Sequence, residues 1–175
     1  MNKIKRLSVY DIALIAVFMA VISVCSFITV PFAIPFTMQV FGVFFAVGIL
    51  GGKKGAICVL AYLLLGFLGA PVFSGFQGGF QKLMEPTGGF LVGFLVSAVV
   101  AGVLVDKLKP TFLCFLFSFF AGLAVCYVCE VIWLVLFLSF DFVSAFLLVA
   151  PFVIPDFLKI IIAAFLSVKL RKFVR

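Results

Sequence analysis

The sequence predicts an all-α membrane protein with six transmembrane helices, a glycine-rich re-entrant outer loop between helices 3 and 4, and both termini cytoplasmic. Three observations carry this expectation. First, 67% of the 175 residues are hydrophobic and 11% are charged, whereas a soluble domain averages about 25% charged and no more than about half apolar. So few charges cannot cover that much apolar surface in water. Second, the apolar residues form runs of the length that crosses a hydrocarbon core at about 1.5 Å per residue. Third, eleven of the thirteen basic residues fall at the termini and in the turns of alternate helices, leaving only Lys82 on the opposite side and Lys159 inside helix 6.

The first helix is expected from about Tyr10 to Thr29. Lys3, Lys5 and Arg6 followed by an apolar run imitate a secretory leader. That run extends to Val30 and no A-x-A site follows it, so it reads as a retained first span. Pro31 and Pro35 make the outer turn. Helix 2 runs from about Thr37 to Leu50, where Gly51-Gly52 end it and Lys53-Lys54 mark the inner surface. Helix 3 runs from about Gly55 to Leu68. Both are short, which implies tilt, local thinning or incomplete crossing. Helix 4 covers about Thr87–Val105 and is followed by the turn Asp106, Lys107, Lys109, Pro110. Helix 5 covers Thr111–Leu138. Helix 6 lies near Ile154–Leu170, after an apolar stretch from Phe142 to Ala150 that Pro151 and Pro155 break off.

Thirteen residues are Lys or Arg. Eleven cluster at the N-terminus, the 2–3 turn, the 4–5 turn and the tail (Lys169, Arg171, Lys172, Arg175). With six helices all four places fall on one side, which the positive-inside rule makes cytoplasmic. Five or seven spans would break that segregation. No repeat, low-complexity tract or linker divides the chain, so residues 1–175 are expected to form a single domain.

The net charge of +7 is therefore an orientation signal. Without aromatic–basic interleaving on a polar surface, it does not imply nucleic acid. The chain has no histidine and five cysteines. Cys126 and Cys129 form a C-x-x-C with no second pair of zinc spacing, so no metal and no cofactor are expected. No nucleophile–base pair and no phosphate-binding G-x-x-x-x-G-K-[ST] motif is present. An enzyme is not expected, nor an ATP site within this chain.

A charge inside a span costs at least about 2.5–3.5 kcal/mol, so such residues are usually paired or functional. Glu130, Asp156 and Lys159 qualify. Asp156 and Lys159 share a helix face at i, i+3. Together they offer an acceptor and a donor at the broken outer end of helix 6, either to a ligand or to each other. Glu130, with Tyr127 and Trp133 three residues to either side, lines a cavity or bonds a neighbouring helix. The segment from Gly69 to Pro86 is too broken for a span and too apolar for a free loop. Non-helical backbone at membrane depth survives only where protein buries it or a cavity adjoins it, so this segment is expected to fold back as a lid or binding loop. Ala16 and Ala20 on helix 1, and Gly89 and Gly93 on helix 4, are small-xxx-small pairs that let another helix approach closely.

The stretch Gly69-Ala-Pro-Val-Phe-Ser-Gly-Phe-Gln-Gly-Gly79, followed by Pro86-Thr-Gly-Gly-Phe90, resembles the signature of the BioY family, the biotin-binding S components of energy-coupling factor (ECF) transporters. Pro151-Phe152 with Asp156 and Lys159 is similar to that family's P-F-x-x-x-D-x-x-K pattern, and Pro35-Phe-Thr-Met-Gln39 to a third motif. Departures are Glu85, where the family usually has glycine, Gln81 and Lys82, where small or apolar residues are frequent, and Pro155. Glu130 matches no family position.

The resemblance implies capture of biotin at the outer face of the cell membrane, with delivery inward by a transmembrane coupling subunit and two ATPase subunits. It implies Asp156 and Lys159 as polar ligand contacts, with Thr37, Gln39, Gln77, Gln81 and Lys82 as further candidates and Trp133 as a wall. It also implies that Ala16 and Ala20 meet the coupling subunit. Two other readings of the residues stand beside it: an S component for a different vitamin, and an ion-coupled secondary carrier using Glu130 and Asp156.

Overall fold

The computed structural model describes residues 7–30 and 36–174. Lys3, Lys5, Arg6, Pro31, Pro35 and Arg175, used above, lie outside them. Among the described residues are seven α-helices: α1 (Val9–Phe27), α2 (Gln39–Leu50), α3 (Gly52–Phe67), α4 (Gly88–Lys107), α5 (Phe112–Phe137), α6 (Phe142–Val149) and α7 (Val153–Leu170). A 3-10 turn over Ala150–Phe152 joins the last two, so Phe142–Phe173 is one apolar helical run. Four runs are long and apolar enough to cross a membrane: α1, α4, α5 and the α6–α7 run. The helices α2 and α3 have 12 and 16 residues. They reach about 18 and 24 Å at 1.5 Å per residue, short of a core of about 30 Å.

Three local expectations are corrected. Pro151 and Pro155 do not break the chain off. Pro151 sits in the 3-10 turn and Pro155 is the third residue of α7, where an N–H has no intrahelical acceptor to lose. The junction of helices 2 and 3 is a single residue, Gly51, with φ of +83°, which glycine adopts without the Cβ clash other residues meet. Lys53 and Lys54 therefore lie in the first turn of α3 rather than in a loop. Finally, helices 1 and 2 are shorter than expected at the outer turn. Thr29–Val30 (β1) pairs antiparallel with Phe36–Thr37 (β2), Thr29 opposite Thr37 and Val30 opposite Phe36, and these residue types favour extended backbone.

Polar contacts gather the basic helix ends at one end of the bundle. Ser8 and Asp11 form a capping box at the start of α1, and Asp11 also pairs with Lys54 on α3. The Gly52 N–H donates to Asp106 Oδ2 at 3.0 Å, and Arg171 at the end of α7 lies 3.5 Å from Asp106 Oδ1. Inside the bundle the hydrophobic effect contributes little, because lipid tails are as apolar as the partner helix. Close van der Waals packing must hold the helices together. The most extensive pair is α4 with α5. There Gly89 and Gly93 face α5, against Glu130, Trp133 and Cys126, as their spacing led one to expect of an interhelical contact.

Candidate functional site

The segment between α3 and α4 is pinned over the opposite end of the bundle. Gly69, Gly75, Phe76 and Gly79 take positive φ, and Phe73 bridges to Gln77. The Phe73 ring is buried edge-on to Tyr62, with centroids 5.6 Å apart. The Val72 carbonyl accepts from Ser26 Oγ at 2.6 Å and from the Tyr62 hydroxyl at 2.9 Å. A 3-10 helix over Phe80–Met84 follows. Trp133 of α5 donates its Nε1–H to the Leu83 carbonyl at 3.0 Å and so ties that helix to the bundle.

Beneath this segment a cavity opens among β2 and the N-terminal ends of α2, α4 and α7. Its polar lining includes Thr37, Gln39, Lys82, Asp156 and Lys159, and its apolar walls include Phe36, Phe73, Phe90, Phe94 and Phe152. The lining encloses a volume of about 40 Å³, room for a few waters. Pockets that enclose small-molecule ligands run to about 300–1,000 Å³, so a ligand of that size requires the lining groups to move apart.

Asp156 and Lys159 meet, as their i, i+3 spacing requires. Lys159 Nζ lies 2.7 Å from Asp156 Oδ1 and donates to the Thr37 carbonyl at 2.5 Å. It sits 3.6 Å from the centroid of the Phe36 ring, in cation–π range. The Tyr127 hydroxyl donates to Asp156 Oδ2 at 2.7 Å. Both side chains are buried, and Asp156 stands in the first turn of α7, where the helix dipole favours a carboxylate. The pair is therefore held by Tyr127, the Thr37 carbonyl and each other, and both members also line the cavity. Gln39 is buried and donates from Nε2 to the Tyr62 hydroxyl at 2.8 Å. Thr37 Oγ1 accepts from the Gln39 N–H at 3.2 Å.

Lys82 is buried, 4% exposed. It lines the cavity and also a shallow outer groove with Gln77, Gly78, Gln81 and Glu85. Gln77 and Gln81 are exposed in that groove and do not reach the cavity. The Gln81 side chain donates to the Gly78 carbonyl at 3.1 Å instead. Trp133 is not in the cavity lining either. It stacks on Phe137 at 4.1 Å and serves the Leu83 carbonyl. Glu130 also stays outside. It is fully buried between α5 and α4, facing the Phe90 N–H in the first turn of α4, although neither oxygen makes a well-formed hydrogen bond. It stands beside the start of a helix that has no N-cap side-chain bond. Ala16 and Ala20 lie on the exposed face of α1.

Sequence reasoning missed Tyr127 and Tyr62 as the groups that hold Asp156 and Gln39. Each stands more than twenty residues from its partner. The one available signal was their polar tips inside otherwise apolar runs, which must find partners when buried.

The profile of the BioY family matches residues 1–175. The biotin transporter BioY of Thermotoga maritima is 41% identical over 158 residues, covering 89% of this chain and 92% of its own length. The biotin transporter BioY of Rhizobium etli is 35% identical over 173 residues, covering 92% of each. Among solved structures, the 2.1 Å crystal structure of the S-component for biotin from an ECF-type ABC transporter superposes with a TM-score of 0.87. That match is at 26% identity over 94% of this chain and 92% of the other.

Proposed function

The chain belongs to the BioY family, and on that premise we propose that it is the biotin-capturing S component of an ECF-type uptake system. It is a transporter component and not an enzyme. The observation that carries the reading within the site is the Asp156–Lys159 pair at the base of an aromatic-walled cavity. A ureido ring presents N–H donors and a carbonyl acceptor side by side. The Asp156 carboxylate accepts from the N–H and the Lys159 ammonium donates to the carbonyl. The phenylalanine walls take the bicycle and chain, and Lys82 near the mouth balances the ligand's carboxylate. Sites of this kind are mostly apolar with a few placed polar groups.

We further propose six passes, with α2 and α3 as short spans, both termini in the cytoplasm and the cavity opening outward beneath a re-entrant loop. The gathering of Lys53, Lys54, Lys107, Lys109, Lys169, Arg171 and Lys172 at the far end supports this orientation in the cell membrane. A coupling subunit and two ATPases would then drive release, with the exposed Ala16 and Ala20 available to the coupling subunit. An ion-coupled carrier is less well supported, because Glu130 does not line the cavity with Asp156.

Calorimetry on detergent-purified wild-type protein is expected to show one-to-one biotin binding and no heat from thiamin or riboflavin. Absence of biotin binding by folded protein would refute the assignment, and binding of another vitamin alone would reassign the ligand.

A further inference from the structure

Two ion pairs flank the cavity, and they differ in how freely they can open. Asp156 and Lys159 are both buried, with side chains 5% and 6% exposed. Neither has water to retreat to, so parting them carries the desolvation penalty of a buried charge. Lys82 and Glu85 are also joined, at 2.5 Å, but the Lys82 side chain is 6% exposed while that of Glu85 is 43% exposed. Glu85 can swing into solvent at small cost, whereas Lys82 is held in the wall between the cavity and the outer groove. Lys82 lies in the 3-10 helix and lines both cavity and groove, while Glu85 follows that helix directly and lines the groove.

We propose that Glu85 is an internal competitor for the ligand's carboxylate, a residue that sets specificity and affinity by occupying the Lys82 ammonium until the ligand displaces it. This inference rests on the biotin reading above. Lys159 is already matched by Asp156 and the Thr37 carbonyl, so the carboxylate of a ligand seated on that pair must find its cation at Lys82. It finds there a tethered carboxylate of the same chemistry. The exchange is one carboxylate for another on an unchanged ammonium, with Glu85 released to water. An acid without enough apolar contact in the cavity cannot drive the exchange. Small carboxylates are therefore turned away at the mouth, while a ligand that also fills the aromatic walls is admitted.

The test is calorimetry on the full chain in detergent with biotin and with biotinamide, whose amide cannot replace Glu85 as an anion. Glu85→Gln and Glu85→Ala are each expected to tighten biotin binding about two- to fivefold, the range of a half-exposed ion pair, and to leave biotinamide unchanged. Lys82→Met is expected to remove the preference for biotin over biotinamide. Unaltered or weaker biotin binding in both Glu85 variants overturns the proposal, and so does equal tightening for both ligands. A wild type that binds neither compound overturns the biotin reading itself, and the competition with it.

Discussion

Asp156→Ala and Lys159→Ala are each expected to lower biotin affinity at least about 30-fold. Truncating one member of a buried, hydrogen-bonded charge pair costs about 2–5 kcal/mol, much of it from the charge left behind. The two losses are not equivalent. Without Lys159, Asp156 keeps the Tyr127 hydroxyl at 2.7 Å. Without Asp156, Lys159 keeps only the Thr37 carbonyl and the Phe36 ring among the contacts described above, so Asp156→Ala is expected to be the less stable variant. The double variant Asp156→Asn, Lys159→Met separates folding from recognition. It removes both charges of the pair together and so strands neither, and thermal stability should return toward wild type while biotin binding stays lost. Calorimetry and thermal unfolding in detergent check both. Wild-type affinity in the double variant would show that the pair is purely structural.

Gly89→Ala is expected to have the next largest effect, from a single methyl group placed between helices. A Cβ at this position would stand 2.6 Å from Glu130 Oε2 and 2.8 Å from Glu130 Cα, and would press on the Trp133 side chain. Backbone cannot yield as a side-chain tip does, so α4 and α5 must part at their most extensive contact. Overpacking of this kind costs about 1–3 kcal/mol. Because α4 carries Phe90 and Phe94 into the cavity and Trp133 anchors Leu83, a roughly tenfold loss of biotin affinity should accompany lower stability. Trp133 is the one tryptophan in the chain, so its emission reports the displacement directly and should shift to the red. Gly93→Ala meets only Cys126, at 3.0 Å or more, and should be milder on every readout. Equal effects from the two would argue against the contact as the cause.

How much of this was legible beforehand depended on whether the signal was local. The glycine pair 51–52 and the Asp106–Pro110 turn ended helices near where the structure ends them, because a turn's chemistry resides in the turn itself. Asp156 and Lys159 were found because charge within an apolar run is locally conspicuous and i, i+3 fixes their meeting. The resemblance to the family put Gln77 and Gln81 among the candidate ligand contacts and Trp133 among the walls. Their placement outside the cavity depends on how α5 rotates against α4 and on how the loop folds, which no spacing encodes. The short β1–β2 pairing was hidden by hydrophobicity that reads equally well as helix ends, and the prolines of the α6–α7 run by a rule that holds only in helix interiors. Glu130 shows the same limit from the other side. A lone acid in a span left a cavity wall and a bond to a neighbouring helix equally open, and its place at the first turn of α4 became visible only when two helices were seen together.

The cavity volume of about 40 Å³ also sets a clock. A vitamin fits that space only after the lining groups move apart, so capture is expected to be gated by that rearrangement. The association rate constant should then fall below the 10⁵–10⁷ M⁻¹s⁻¹ usual for an encounter that needs no rearrangement, and the observed rate should level off at high ligand concentration. The same gate slows escape. A protein that holds its cargo behind a gate can keep it for seconds or longer, long enough to outlast the search for a partner that releases it on the other side.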